Sequence, residues 1–146
     1  MSKPAKVESE NFGKPSYQML GFFQRMVQNG DVSAYYSEDL APVKELREDT
    51  SYFLKDPKTG TMYKLEVESH GGMLTEDGSQ AMFHNCNLER LDQTNHKQVT
   101  GSLHVNYEED WEAGDDTDFV AGARGRLKIE GESDSLFEKV REFVKK

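Results

Sequence analysis

Two side chains able to move protons or attack an electrophile stand two positions apart, His84 and Cys86, within a run from Gln80 to Leu91. Histidine suits acid–base work near neutrality, whereas cysteine is a nucleophile only as a thiolate, which needs a neighbouring base or positive charge. In an extended strand residues i and i+2 share a face, so Met82, His84, Cys86 and Leu88 are expected on one side, and the apolar members mark that side as the core. His84 is thereby the catalytic candidate, as general acid or base of an isomerase- or cyclase-type proton transfer. No nucleophile signature flanks Cys86, and the competing reading is a buried thiol beside a hydrogen-bonded histidine. Tyr52, Tyr63 and Tyr107 fall on other alternating runs. With Met82, His84 and Cys86 they would line a ligand pocket if the sheet curls and its interior stays open.

Other chemistry-bearing groups carry weaker signals. His70, His84, His96 and His104 show no HxH or HxxxH spacing, so no zinc or iron site is expected. His70-Gly71-Gly72 reads as a connection, because no helix opening on a GxxxxGK or GxGxxG pattern follows it, and no nucleotide cofactor is expected. Seven carboxylates crowd positions 108–118 without EF-hand spacing, which predicts a solvated, solubilising loop rather than a calcium site. Within them Trp111 is either a lid on its own sheet or an exposed anchor for a partner. Arg124, Arg126 and Lys128 alternate along one strand, placed to pair with acidic neighbours or to receive an anionic group.

The elements that must position these groups follow from periodicity. Met19, Leu20, Phe23, Met26 and Val27 trace one stripe of a helix with Asn29-Gly30 as its stop. Residues 31–49 read as short helices broken around Pro42. Residues 52–55 and 61–69 alternate around the turn Asp56-Pro57-Lys58-Thr59-Gly60 and form a hairpin. Three further strands are expected over 80–91, 99–108 and 119–130, with Val99, Leu103, Val105 and Tyr107 sharing a face and Gly122 and Gly125 marking a bulge or bend. Ser135 and Glu138 have the form of a capping box, and Leu136, Val140, Phe143 and Val144 trace a closing amphipathic helix. The expected fold is α+β: one curved antiparallel sheet of about five strands with an N-terminal and a C-terminal helix packed on it. It occupies 16–146 as a single domain, behind a mobile polar arm at 1–15.

Composition limits the partners. Eighteen basic against 27 acidic residues give a net charge of −9, which opposes direct binding of nucleic acid or of anionic membrane surfaces. A single cysteine permits no intrachain disulfide, and the polar start with no apolar run after it predicts neither export nor a membrane span, hence a cytoplasmic setting.

Residues 22–40, with an amphipathic helix, Asn29-Gly30-Asp31 and then Tyr35-Tyr36-Ser37-Glu38-Asp39, resemble the opening of NTF2-like (SnoaL-like) α+β barrels. The resemblance implies a pocket within a curved sheet. It spans about a seventh of the chain, the later elements depart from it, and no family residue transfers.

Two functions are therefore expected to compete. One is a non-enzymatic acidic module that binds a protein partner through its acidic loop, Trp111 and the mobile first segment. The other is a small-molecule-binding protein or enzyme using the His84 pocket. They differ in whether His84 and the tyrosines face a cavity or a packed core.

Overall fold

The computed structural model describes residues 7–12, 18–74, 80–109 and 123–145. From position 51 onward the alternating runs become strands β4 (Ser51–Lys55), β5 (Met62–Leu74), β6 (Gln80–Leu91), β7 (Val99–Glu109) and β8 (Ala123–Gly131). The strands pair antiparallel in chain order. Because the side-chain period of a strand is two, this register aligns every second residue into rows across one face. Tyr52, Leu65, Leu88, Leu103 and Ile129 form one row and Val67, Cys86, Val105 and Leu127 the next, all buried. The opposite face is polar and partly solvated, as a sheet covered on one side requires.

Helix α1 (Met19–Gln28) and helix α2 (Ser135–Lys145) cover the apolar face. The first buries Met19, Phe23 and Met26, the second Leu136, Phe137, Val140 and Val144, within one core cluster with the sheet residues. The helices meet through Phe22 and Phe143, whose ring centroids lie 4.8 Å apart. Helix α1 stops as expected: Gly30 takes φ +78°, and the N–H groups of Gly30 and Asp31 return to the carbonyls of Val27 and Met26. Among the described residues, no helix is long and apolar enough to cross a membrane.

The sheet has eight strands rather than about five, in the order β1-β8-β7-β6-β5-β4-β2-β3. The additions are β1 (Val7–Phe12), β2 (Ser33–Tyr36) and β3 (Pro42–Val43). The first lies inside the 1–15 segment and takes its order from pairing along β8. The other two correct the helical reading of 31–49. There Ala34 and Val43 are buried as a cross-strand pair, and Pro42 sits on an edge strand, where its missing N–H costs no ladder bond. The turn between them is closed by Tyr36 and Ala41, with the Asp39 carboxylate accepting the Ala41 N–H.

Other details differ more locally. His70-Gly71-Gly72 is no connection: β5 runs through it with a register shift between Ser69 and Gly72. Register along β7 and β8 is unbroken through Gly125, so of the bulge or bend expected there the bulge does not occur, while Gly122 lies outside the described residues. A register shift does occur where Arg90 faces Gly101 but Leu91 faces Val99, and it turns Val99 outward to 44% exposure. At α2 the cap is Asp134, not Ser135. The Asp134 Oδ1 accepts the Phe137 N–H at 2.9 Å, and Glu138 accepts from the Ser133 hydroxyl.

Gly101 and Gly131 face each other where β7 begins and β8 ends, with Gly101 against the Arg90 guanidinium. A Cβ on Gly101 would overlap the Arg90 guanidinium, and one on Gly131, at φ +82°, would stand 2.9 Å from the Thr100 carbonyl oxygen. Gly101→Ala is accordingly expected to lower stability by about 1–3 kcal/mol, read as a reduced urea midpoint with an unchanged m-value.

Candidate functional site

The inward face of β6 reads His84, Cys86, Leu88, Arg90, apolar in the middle and polar at both ends. Each polar end organises a node.

At the first node, the N-cap residue of α1, Gln18, makes no side-chain capping bond. The Leu20 N–H, one of the unpaired donors of the first turn, instead donates to His84 Nδ1 at 3.3 Å. An accepting Nδ1 carries no proton, so the ring proton lies on Nε2 and is donated to Glu48 Oε1 at 2.8 Å. His84 is 4% exposed and both its nitrogens are engaged. Glu48 is held by its own segment. Gln24 on α1 donates to the Lys44 carbonyl and accepts the Leu46 N–H, each at 2.6 Å, as a neighbouring strand would. The Arg47 N–H donates to the Tyr52 hydroxyl at 2.7 Å. Asp49 follows at φ +60°, held there by Ser69, whose N–H and hydroxyl both donate to its carboxylate, and by its own N–H to the Val67 carbonyl. An open cleft of about 500 Å³ lies between α1 and residues 44–48, with Glu48 and the rim of His84 on its wall.

Arg90 builds the second node. Its guanidinium donates to the Thr100 hydroxyl and carbonyl, each at 3.0 Å, to the Glu132 carbonyl at 2.7 Å and to Asp134 Oδ2 at 3.0 Å. It also stacks over the Phe137 ring, 5.2 Å from the centroid. Asp134 thus joins three elements: it caps α2, pairs with Arg90 and accepts the Tyr63 hydroxyl at 2.8 Å. Burial, and then the bond to Asp134, pushes the Tyr63 phenol well above the usual tyrosine range, so it remains a donor. A second open cleft, of about 460 Å³, lies beside this node.

Four of the candidates read from sequence share this interior. Tyr52 and Tyr63 are 1% and 3% exposed, with their hydroxyls spent on the backbone of Arg47 and on Asp134. Cys86 is fully buried in the row between Val67 and Val105, and burial alone pushes its thiol far up. A thiolate is therefore disfavoured, and His84, on its face, is committed to Leu20 and Glu48. Arg126 lies exposed on the other face, across from Asn106 and Asn11. Arg124 falls opposite Glu108, and Tyr107 opposite Gly125, but the side chains of Tyr107 and Arg124 are outside the described residues, as is Trp111 with most of the acidic run. Among the described residues no group of three His, Cys, Asp or Glu side chains gathers as a metal site.

Arg90 was legible by parity, six positions beyond His84 on the same face, yet a charged residue on an apolar face reads as an outward one. Glu48 carried no local signal, because 36 residues separate it from His84. In comparisons with known proteins, no family model matches the chain, and neither a curated protein nor a solved structure is significantly similar to it.

Two substitutions test these assignments. His84→Ala leaves the Leu20 N–H and Glu48 without their buried partner and opens a void, an expected loss of about 2–4 kcal/mol in chemical denaturation, against about 1 kcal/mol for Glu48→Gln, which can still accept. Tyr63 holds its proton to higher pH folded than unfolded, so its contribution is complete below the ordinary tyrosine value near 10 and is lost as pH rises above it. Tyr63→Phe should flatten the alkaline fall of stability while costing about 1 kcal/mol at neutral pH.

Proposed function

We propose that this chain is a non-enzymatic module that binds a protein partner. The supporting observation is that His84, Cys86, Tyr52 and Tyr63, which would have to serve a pocket inside the sheet, are buried and, apart from the inert thiol, bonded to the chain's own helices and loops. Groups buried and bonded in this way hold a fold together, and their burial withholds them from a substrate. The net charge of −9 favours a partner that presents a basic surface. A cytoplasmic setting belongs to the same proposal, supported by a lone cysteine that is free and buried.

A second reading, a small-molecule-binding protein, is favoured by one observation. The cleft of about 500 Å³ beside Glu48 has the volume of a ligand site and carries a half-exposed carboxylate. In that reading the ligand carries a cationic or donor group.

Affinity capture by the full chain at low and high salt, followed by reconstitution with the purified captured protein, tests the first reading. The expected result is saturable, salt-sensitive binding that a folded His84→Ala variant retains. Loss of all saturable protein binding, together with a small molecule that protects wild type but not Glu48→Gln against thermal unfolding, would instead support the second.

A further inference from the structure

Tyr36 and Leu40 are, at 39% and 59%, two of the three large apolar residues exposed on the described surface, and both belong to the hairpin tip between β2 and β3. The tip is ordered by short bonds. The Leu40 N–H donates to the Tyr36 carbonyl and the Tyr36 N–H to the Ala41 carbonyl, each at 2.9 Å, while Asp39 accepts from Ala41. Tyr36 is further fixed by its ring, which packs 5.7 Å from that of the buried Tyr52. An aromatic side chain held rigid before binding loses little entropy on contact, the property of an interface anchor.

Leu40 is held at φ +59°, a conformation that suits glycine or asparagine and disfavours a branched aliphatic side chain. The hairpin turn accounts for the positive φ, but a glycine or asparagine would meet it with less strain, and the leucine side chain is left facing water. Between the two apolar residues stand Glu38 and Asp39, both exposed. Apolar anchors flanking two carboxylates match a partner surface with an apolar recess bordered by lysine or arginine, which agrees in sign with the net charge of −9.

We infer that the hairpin tip at residues 36–40 is a docking surface for a basic protein segment, with Tyr36 and Leu40 as its apolar anchors and Glu38 and Asp39 as its charged border. The inference rests on the protein-binding reading and names the surface and the partner chemistry.

The experiment is to pan a displayed random-peptide library on the immobilised full chain, synthesise the selected peptide and titrate it against wild type, Leu40→Gly and the double variant Glu38→Gln, Asp39→Asn. Glycine accepts the positive φ, so Leu40→Gly should keep its thermal midpoint within about 3 °C of wild type or raise it. The expected result is a peptide pairing lysine or arginine with apolar residues, weakened at least about tenfold by Leu40→Gly and made less salt-sensitive by the charge-neutral double variant. A selected peptide that binds folded Leu40→Gly as tightly as wild type overturns the docking surface and leaves the protein-binding reading standing. Failure to select any saturable peptide overturns both. Concentration-dependent dimerisation abolished by Leu40→Gly would assign the tip to a second copy of this chain and overturn the basic partner.

Discussion

One face of strand β6 carries the constraint on which the rest of the molecule depends. Its middle, Cys86 and Leu88, lies within the apolar rows that bind the sheet to the helices, while its ends place an imidazole and a guanidinium at the margins of that core. Polar groups so placed are costly unless bonded, and each is bonded to an element arriving from elsewhere in the chain. His84 receives the first turn of α1 and grips Glu48; Arg90 receives the first turn of α2 and the end of β8. Apolar packing brings the helices to the sheet, but it is non-directional, and the two polar nodes fix where along the sheet each helix begins.

The glycines and left-handed residues serve the same arrangement. Arg90 lies flat over the sheet only because Gly101 has no side chain below it, and Gly131 turns the chain toward Asp134. Asp49 bends the backbone so that Glu48 reaches His84 on one side while Ser69 is bonded on the other. Leu40 differs from these in that its left-handed backbone serves the β2–β3 turn while its side chain is exposed.

Much of this architecture was readable from residue order. Period-two alternation located β4, β6 and β7 nearly to the residue and the bodies of β5 and β8, although β5 runs on to Leu74; period-3.6 stripes located both helices, and the parity of His84 with Cys86 and Leu88 placed the histidine inside. The failures share a cause. Residues 31–49 hold Val32, Tyr35, Leu40, Val43 and Leu46 at spacings that suit a helix as well as short strands, and only the exposed edge of β4 decides for β2. The cap of α2 shifted from Ser135 to Asp134 because Arg90 and Tyr63, distant in sequence, require that carboxylate. Partners of His84 lie 36 and 64 residues away, so its role depended on tertiary structure.

The central claim is that His84 positions α1 and residues 44–48 rather than serving chemistry. Native-state hydrogen exchange on wild type and a folded His84→Ala variant addresses it directly. Exchange should accelerate selectively at the first turn of α1 and across residues 44–48, with β7 and β8 unchanged once global stability is matched. Unchanged protection at Leu20 and Leu46 in the variant would contradict the account and return His84 to the list of residues in need of a function.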